Sequence, residues 1–241
     1  DILLSSSYGD SEVEVKFAKL LLQKQVEGII VISDTLNTKL LYRLEESKIP
    51  YINVNRFYNV DEHYTVGVNH KDGTYQMTNY LVENGHKNIG LLYVRKDFDR
   101  TEEKIKEDGY LEALEEHGLA KNTIGIEGIR EKDVAEIMDK VEEKIRSGVT
   151  AFVTTQDELG IHLQNALLDR GYKIPEDVSI TGYGATEMTE LTRPKLTSVK
   201  VPYYDIGAVA IRRILKEIKK EESEDKVYLP ARIVERDSVK K

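Results

Sequence analysis

The chain has 241 residues, 40% of them hydrophobic, enough for one large α/β domain or two small lobes with a core each. No apolar run reaches the ~20 residues of a membrane helix, and no basic-then-apolar secretory segment opens the sequence. Cysteine is absent, which excludes a disulfide framework and a thiolate metal site and fits a reducing, cytoplasmic setting. The formal charge of −8 and a pI near 5.3 argue against this chain gripping a nucleic-acid backbone by itself, so any DNA contact has to come from residues outside it.

Ser11 with Glu14 three positions later reads as a capping box, and Val13, Phe17, Leu20 and Leu21 continue it as an amphipathic helix to about Gln25. Gly28 breaks the helix, and Ile29–Ile32 is a β-branched run suited to a parallel strand covered on both faces. The alternation then repeats: helix 38–46 and strand 51–54, helix 72–83 and strand 89–94, helix 102–116 and strand 124–129. Helix 133–146 leads to strand 151–154, and helix 158–170 to strand 178–182. A short strand follows Pro194, and helix 204–220 precedes strands 227–229 and 233–235. Strand–helix alternation of this kind predicts parallel sheets with right-handed crossovers, and two lobes in preference to one very wide sheet. The interleaved charge run Lys216–Lys226 reads as a solvated helix end.

In open parallel sheets, ligands bind beyond the carboxyl ends of the strands. The residues at those ends are Ser33-Asp34, Asn55-Arg56, Asn69-His70, Arg95-Lys96, Gln156-Asp157, Tyr183-Gly184 and the stretch Lys200 to Tyr203. Amides, carboxylates and aromatic faces in this set suit a polyhydroxylated small molecule. The competing reading, that they cap helices and shape turns, stays open for each, above all for Asp34 and Asp157.

Signals for catalysis are weak. Gly182-Tyr-Gly184 begins like a dinucleotide fingerprint, but Glu187 stands where the third glycine belongs. His63, His70, His86, His117 and His162 are scattered, and Ser5-Ser6-Ser7 lacks a nucleophile elbow. No enzyme, cofactor or metal site is expected.

Several segments together resemble the core domain of the LacI/GalR family of transcription regulators. They are VEGIIVIS (Val26–Ser33), IPYINVNR (Ile49–Arg56), VGVNHKDG (Val66–Gly73), LVENGHKNIGLLY (Leu81–Tyr93) and GYLEALEEHGL (Gly109–Leu119). VTTQDELG (Val153–Gly160), IPEDVSITGYG (Ile174–Gly184), RPKLTSVKVPYYDIG (Arg193–Gly207) and RIVERDS (Arg232–Ser238) complete the series. The resemblance implies an α/β periplasmic-binding-protein-like fold: two parallel-sheet lobes joined by three crossings near Asn69, Val201 and Lys226. The amino-terminal lobe would be 1–68 plus 202–225, the other 69–201 plus 226–241. It further implies a sugar or sugar-phosphate effector in the cleft between lobes, a homodimer, and operator DNA read by a headpiece absent from this chain, as in a repressor of a carbohydrate operon. By the same resemblance Asp1 to Leu4 falls on the family's second strand, its first strand and helix are missing too, and the chain is expected to be a piece of a longer protein. A sugar-binding protein serving a membrane transporter shares the fold and is the alternative; an enzyme on a Rossmann-like frame is a third.

The sequence also departs from the family pattern. The family's sugar-binding arginines fall on Lys104 and Lys106, its asparagine on Gln156, and its aspartates on Asn55 and Gly184, with Glu187 a substitute acceptor. Lysine lacks arginine's planar fork, so the effector's orientation is open. The Gly-Tyr-Gly loop resembles sucrose-operon repressors of the family. Tyr203–Ile211 resembles members that answer to a phosphoprotein co-regulator. The effector-binding candidates are Asn55, Arg56, Asn69, Lys106, Gln156, Asp157, Tyr183, Glu187 and Tyr203. The resemblance places Leu159, Leu163, Met188 and Leu191 at the dimer interface, although Leu159, Leu163 and Leu167 at i, i+4, i+8 equally describe a core-facing stripe.

Overall fold

A computed structural model describes residues 1–32, 37–54, 65–95, 102–222 and 226–241. The chain divides into two compact units: residues 1–68 with 202–229, and residues 69–201 with 230–241.

In the first unit, strands β1 (Ile29–Ile32), β2 (Tyr51–Val54), β3 (Thr65–Val68) and β9 (Lys226–Leu229) form a four-stranded sheet in the order β1-β2-β3-β9, with every neighbouring pair parallel. Helices α1 (Ser11–Gln23) and α2 (Thr38–Ser47) bury Ala18, Leu40, Leu41 and Leu44 with Ile29, Val31 and Tyr51. Helix α9 (Tyr203–Lys219) packs on β1, β2 and β3 and buries Ile206, Ala210 and Ile214. Because β9 pairs with β3 from Thr65↔Lys226 to Val68↔Leu229, the third boundary follows Leu229 and not Lys226.

Two local expectations are corrected here. The cap of α1 is Asp10, whose Oδ1 accepts from the backbone N–H groups of Glu12 (2.9 Å) and Val13 (3.1 Å). Glu14 instead accepts from Asn37 Nδ2 at 2.8 Å, joining α1 to the start of α2. Asp1 to Leu4 forms no strand; Ile2 and Leu4 are exposed, because an extended segment is stabilised only beside a partner strand and here β1 pairs with β2 alone.

In the second unit, β4 (Ile89–Val94), β5 (Thr123–Ile126), β6 (Ala151–Thr154), β7 (Ser179–Gly184), β8 (Thr197–Lys200) and β10 (Arg232–Val234) form a sheet in the order β10-β8-β7-β6-β4-β5. Only β10 runs antiparallel to its neighbour. Helices α3 (His70–Glu83) and α4 (Glu102–Glu116) pack on each other and bury Met77, Leu81, Tyr110 and Leu114. The Tyr110 hydroxyl donates to Ile89 O at 2.8 Å and accepts from Asn122 N–H at 3.0 Å, which ties α4 to the sheet. Burial pushes its pKa up to about 12.

Another core holds α5 (Glu131–Ala135), α6 (Met138–Arg146) and α7 (Asp157–Asp169) around Leu92, Phe152 and Ile180. The single helix expected over 133–146 is therefore two, with Ile137 (φ −106°, ψ 0°) leaving the helical path between them. That break lets Val134, Ile137, Met138 and Val141 all enter one core. Leu159, Leu163 and Leu167 are wholly buried in that core, so Leu159 and Leu163 are not available to a second copy of the chain. The i, i+4, i+8 stripe faces inward because α7 packs on β6 and β7, whose Phe152 and Ile180 belong to the same core. Helix α8 (Met188–Leu191), by contrast, leaves Met188 and Leu191 exposed.

Replacing Leu163 by alanine is accordingly expected to lower unfolding stability by about 2–5 kcal/mol in urea denaturation while the molecular mass in solution stays unchanged. A change in mass with stability intact would return this residue to an interface.

Candidate ligand-binding site

The parallel strands β4, β6, β7 and β8 of the second unit end at one rim, where α3, α4 and α7 begin. Its centre is Lys106 on α4. The side chain is only 2% exposed, and its ammonium donates to Glu102 Oε1 and to Thr155 O, each at 2.9 Å. Glu103 Oε1 stands 3.8 Å away, and the Tyr183 ring centroid lies 4.4 Å from the nitrogen.

Two further contacts close the arrangement. His70 Nδ1 lies 2.9 Å from the Tyr183 hydroxyl, and His70 Nε2 lies 3.1 Å from Glu102 Oε2. Burial alone would raise the Glu102 carboxyl, but the Lys106 ammonium and the His70 ring hold it well below the ordinary carboxylate range. Glu103 is consumed by structure: it accepts from Val94 N–H (3.1 Å), Thr155 Oγ1 (2.5 Å) and Gln156 Nε2 (3.3 Å).

The loop after β7 is pinned separately. Asp157, the first residue of α7, accepts from Thr186 N–H at 2.7 Å and from Ser198 Oγ. Gly182 is needed for this, since a Cβ there would meet Asp157 Oδ1 at 2.5 Å. Gly184 has φ +127°, which side-chain-bearing residues rarely adopt. The Gly-Tyr-Gly pattern thus makes room for a carboxylate and a turn; it is not a pyrophosphate cradle.

The candidates from sequence sort clearly. Lys106 and Tyr183 are corrected from ligand contacts to internal parts of the network: Lys106 is almost wholly enclosed, and the Tyr183 hydroxyl is engaged by His70. Asp157 is likewise corrected, because it is buried and both carboxylate oxygens are engaged within the protein, although it caps no helix with its side chain. Asn69 is exposed and caps α3 by accepting from Asp72 N–H at 3.1 Å, which leaves its NH2 group uncommitted among the described residues. Gln156 is half-buried, and Glu187 is exposed at the start of α8. Tyr203, 54% exposed, begins α9 in the first unit. Asn55 and Arg56 lie outside the described residues, as do Ser33, Asp34 and Lys96.

Glu102 and Glu103 were missed as rim residues. Their i+4 and i+3 spacing to Lys106 was visible in the sequence, but that spacing ordinarily marks a solvated helix face. Lys104 has that ordinary role, pairing with Glu107 at 3.0 Å and with Asp108. No group of three or more side chains able to hold a metal ion occurs among the described residues, and no helix among them is long and apolar enough to cross a membrane.

Comparison with known proteins agrees with this architecture. Residues 78–239 match the family model described as "Periplasmic binding protein-like domain". The chain is 32% identical to catabolite control protein A of Priestia megaterium, over all of this chain and 73% of that protein. The transcription regulator CcpA of Lactococcus lactis superposes with a TM-score of 0.88 at 30% identity, over 100% of this chain and 88% of that one. A LacI-family transcriptional regulator of Enterococcus faecium with bound ribose gives a TM-score of 0.82 at 25% identity, over 99% and 86%. The chain therefore belongs to the periplasmic-binding-protein-like family and is the effector-binding core of a LacI/GalR-family transcription regulator.

Replacing Lys106 by methionine removes the one ammonium among the carboxylates of the network. An unfolding loss of about 3 kcal/mol is expected at about pH 7, the lower end for a buried pair because Glu102 keeps some solvent contact. Glu102 is held below its ordinary 4.5, so its contribution is present above that value and is lost as pH falls below it. The variant should therefore lose less stability than the parent between about pH 5 and about pH 2 in urea titrations. An equal acid-side loss in both would show that Lys106 does not hold Glu102.

Proposed function

We propose that this chain senses a carbohydrate, with the exposed Asn69 and Glu187 and the half-buried Gln156 at the second unit's rim taking its hydroxyls. The observation that carries this reading is the division of labour at the rim. The charged groups there are tied to one another, and amides and a lone carboxylate are left at the surface. Directional hydrogen bonds from such groups suit hydroxyls. The ribose held by the Enterococcus faecium regulator, at 25% identity, supports a sugar as the class. Asn55, Arg56 and Tyr203 remain proposed effector-binding residues, the first two outside the described residues.

The wider role we assign is transcriptional. The relatives are regulators, not enzymes, which favours a cytoplasmic repressor over a catalyst or a transport protein. In this reading the chain forms a homodimer using the exposed Met188 and Leu191, and operator DNA is bound by a headpiece. The face of α9 with exposed Tyr204, Ile211 and Leu215 beside Arg212, Lys216 and Lys219 suits an acidic, phosphorylated co-regulator protein.

Calorimetric titration with pentoses, hexoses and disaccharides tests the sensor reading. One neutral sugar class should bind, and Gln156→Ala should weaken it about tenfold, the equivalent of one lost hydrogen bond near 1.4 kcal/mol. Asn69→Asp keeps the cap acceptor but removes the NH2 group and should act similarly. Unchanged affinity in both variants, or no binding by any member of the panel, contradicts the proposal.

A further inference from the structure

The sheet of the second unit ends at β5, which pairs with β4 alone among the described residues. Leu91 N–H donates to Asn122 O and Arg95 N–H donates to Ile126 O, each at 2.8 Å. In a parallel ladder the backbone groups of alternate residues turn to the same neighbour, so Ile124 and Ile126 serve β4. Thr123 and Gly125 turn their N–H and C=O groups the other way, off the sheet. They open into a groove of about 520 Å3 on the outer edge of this unit, a volume in the range of ligand-holding clefts.

The charges of the groove come from both faces of the sheet. Ile124 and Ile126 share a core with Met138 and Val141, so α6 lies over one face and brings Lys140 and Lys144 to the groove. On the opposite face Arg95 lies against Gly125, where any Cβ would collide with its side chain. A glycine inside a strand often marks such a close approach. Arg95 is offset by Glu127 at 3.4 Å, and Glu143 is the one acid lining the groove. Lys144 donates to a neutral partner, Asn122 Oδ1, at 3.1 Å, and Lys140 is exposed with no ion pair among the described residues. Edge strands are ordinarily protected by charges of their own, and Thr-Ile-Gly-Ile has none.

We infer that this edge is a docking groove for an extended acidic segment of a partner protein, which adds as a further strand beside β5. The backbone of the segment would pair with the outward groups of Thr123 and Gly125, the ladder contacts that give strand addition its affinity. Its side chains alternate between faces, so acids pointing one way meet Lys140 and Lys144 and an acid between them meets Arg95. The two lysines are one helical turn apart, about 6 Å, which matches the roughly 6.8 Å between same-face residues of a strand. A second copy of this chain is a poorer occupant, since two β5 edges meeting would crowd the same lysines together. Repulsion from the chain's net charge of −8 is screened beyond about 8 Å at physiological salt, so contacts inside the groove decide. Asn69, Gln156 and Glu187 do not line this groove, and the inference is independent of the carbohydrate reading.

Fluorescence anisotropy on the full chain tests this with a labelled, end-blocked peptide of three consecutive glutamates flanked by valines and threonines. The acidic peptide should bind, and more weakly as salt is raised. The same peptide with lysines for glutamates should not bind, and methylating the backbone nitrogens of the acidic peptide should weaken it at least about tenfold. Lys140→Glu/Lys144→Glu should weaken the unmodified peptide at least about tenfold as well. In the bound state, amide exchange at Thr123 and Gly125 should slow by NMR. Failure of the acidic peptide to bind overturns the inference. So does binding that survives methylation or leaves exchange at Thr123 and Gly125 unchanged, which would be charge attraction without a strand. Concentration-dependent dimerisation that the double variant abolishes would assign the edge to a second copy, and also overturns it. Should the double variant not fold, the peptide comparison and the exchange measurement on the native chain retain these outcomes.

Discussion

An ammonium group with almost no surface in contact with water must be neutralised and hydrogen-bonded where it sits, and Lys106 imposes that requirement on the rim of the second unit. Four elements meet it. Helix α4 supplies Glu102 and Glu103, the residue after β6 supplies the Thr155 carbonyl, β7 supplies the Tyr183 ring, and α3 supplies His70 to hold both Tyr183 and Glu102. Moving any one of these elements leaves a charge or a hydroxyl exposed to an apolar surrounding. Together with the apolar packing of Met77, Leu81, Tyr110 and Leu114, this buried charge fixes where α3 and α4 meet the rim.

The same constraint determines what is left for a ligand. Charges that serve each other are poor partners for an incoming molecule, because binding would have to exceed the pairing it replaces. In the proposed reading the groups left for a ligand are the Asn69 amide, the Glu187 carboxylate and the part of the Gln156 amide not held by Glu103, each at the start of a helix that follows the rim. A site of this kind discriminates by geometry of hydroxyls more than by net charge.

Much of the fold was legible because a parallel sheet covered on both faces writes itself as short apolar runs between helical repeats. Seven of the eight strands from Ile29 to Lys200 follow this rule; the structure adds β3 (Thr65–Val68), which the sequence reading did not include, and the place of β9. That strand is too short and too polar to declare its partner; only its pairing with β3 assigns it to the first unit. The α7 stripe was visible, but leucines at this spacing look alike whether they fill a core or meet a second subunit. Burial decides, and burial depends on which helix covers which sheet. Asp10 and Ser11 can both cap a helix, and the choice between them lies in a dihedral angle that no spacing rule contains.

The site was the least legible part for a related reason. Lys106 with Glu102 four residues before it reads as a solvent-facing pair, and the residues that enclose it, His70 and Tyr183, are 113 positions apart in sequence. Aligning Lys106 with a sugar-binding arginine gave it an outward role, whereas its shorter, unforked head is held inside. The account is tested most directly by a crystal structure of the chain with a neutral sugar bound. It should show sugar hydroxyls within hydrogen-bonding distance of Asn69 or Gln156, with the Lys106–Glu102 contact still closed. A Lys106 side chain released from Glu102 and bonded to the sugar would contradict it.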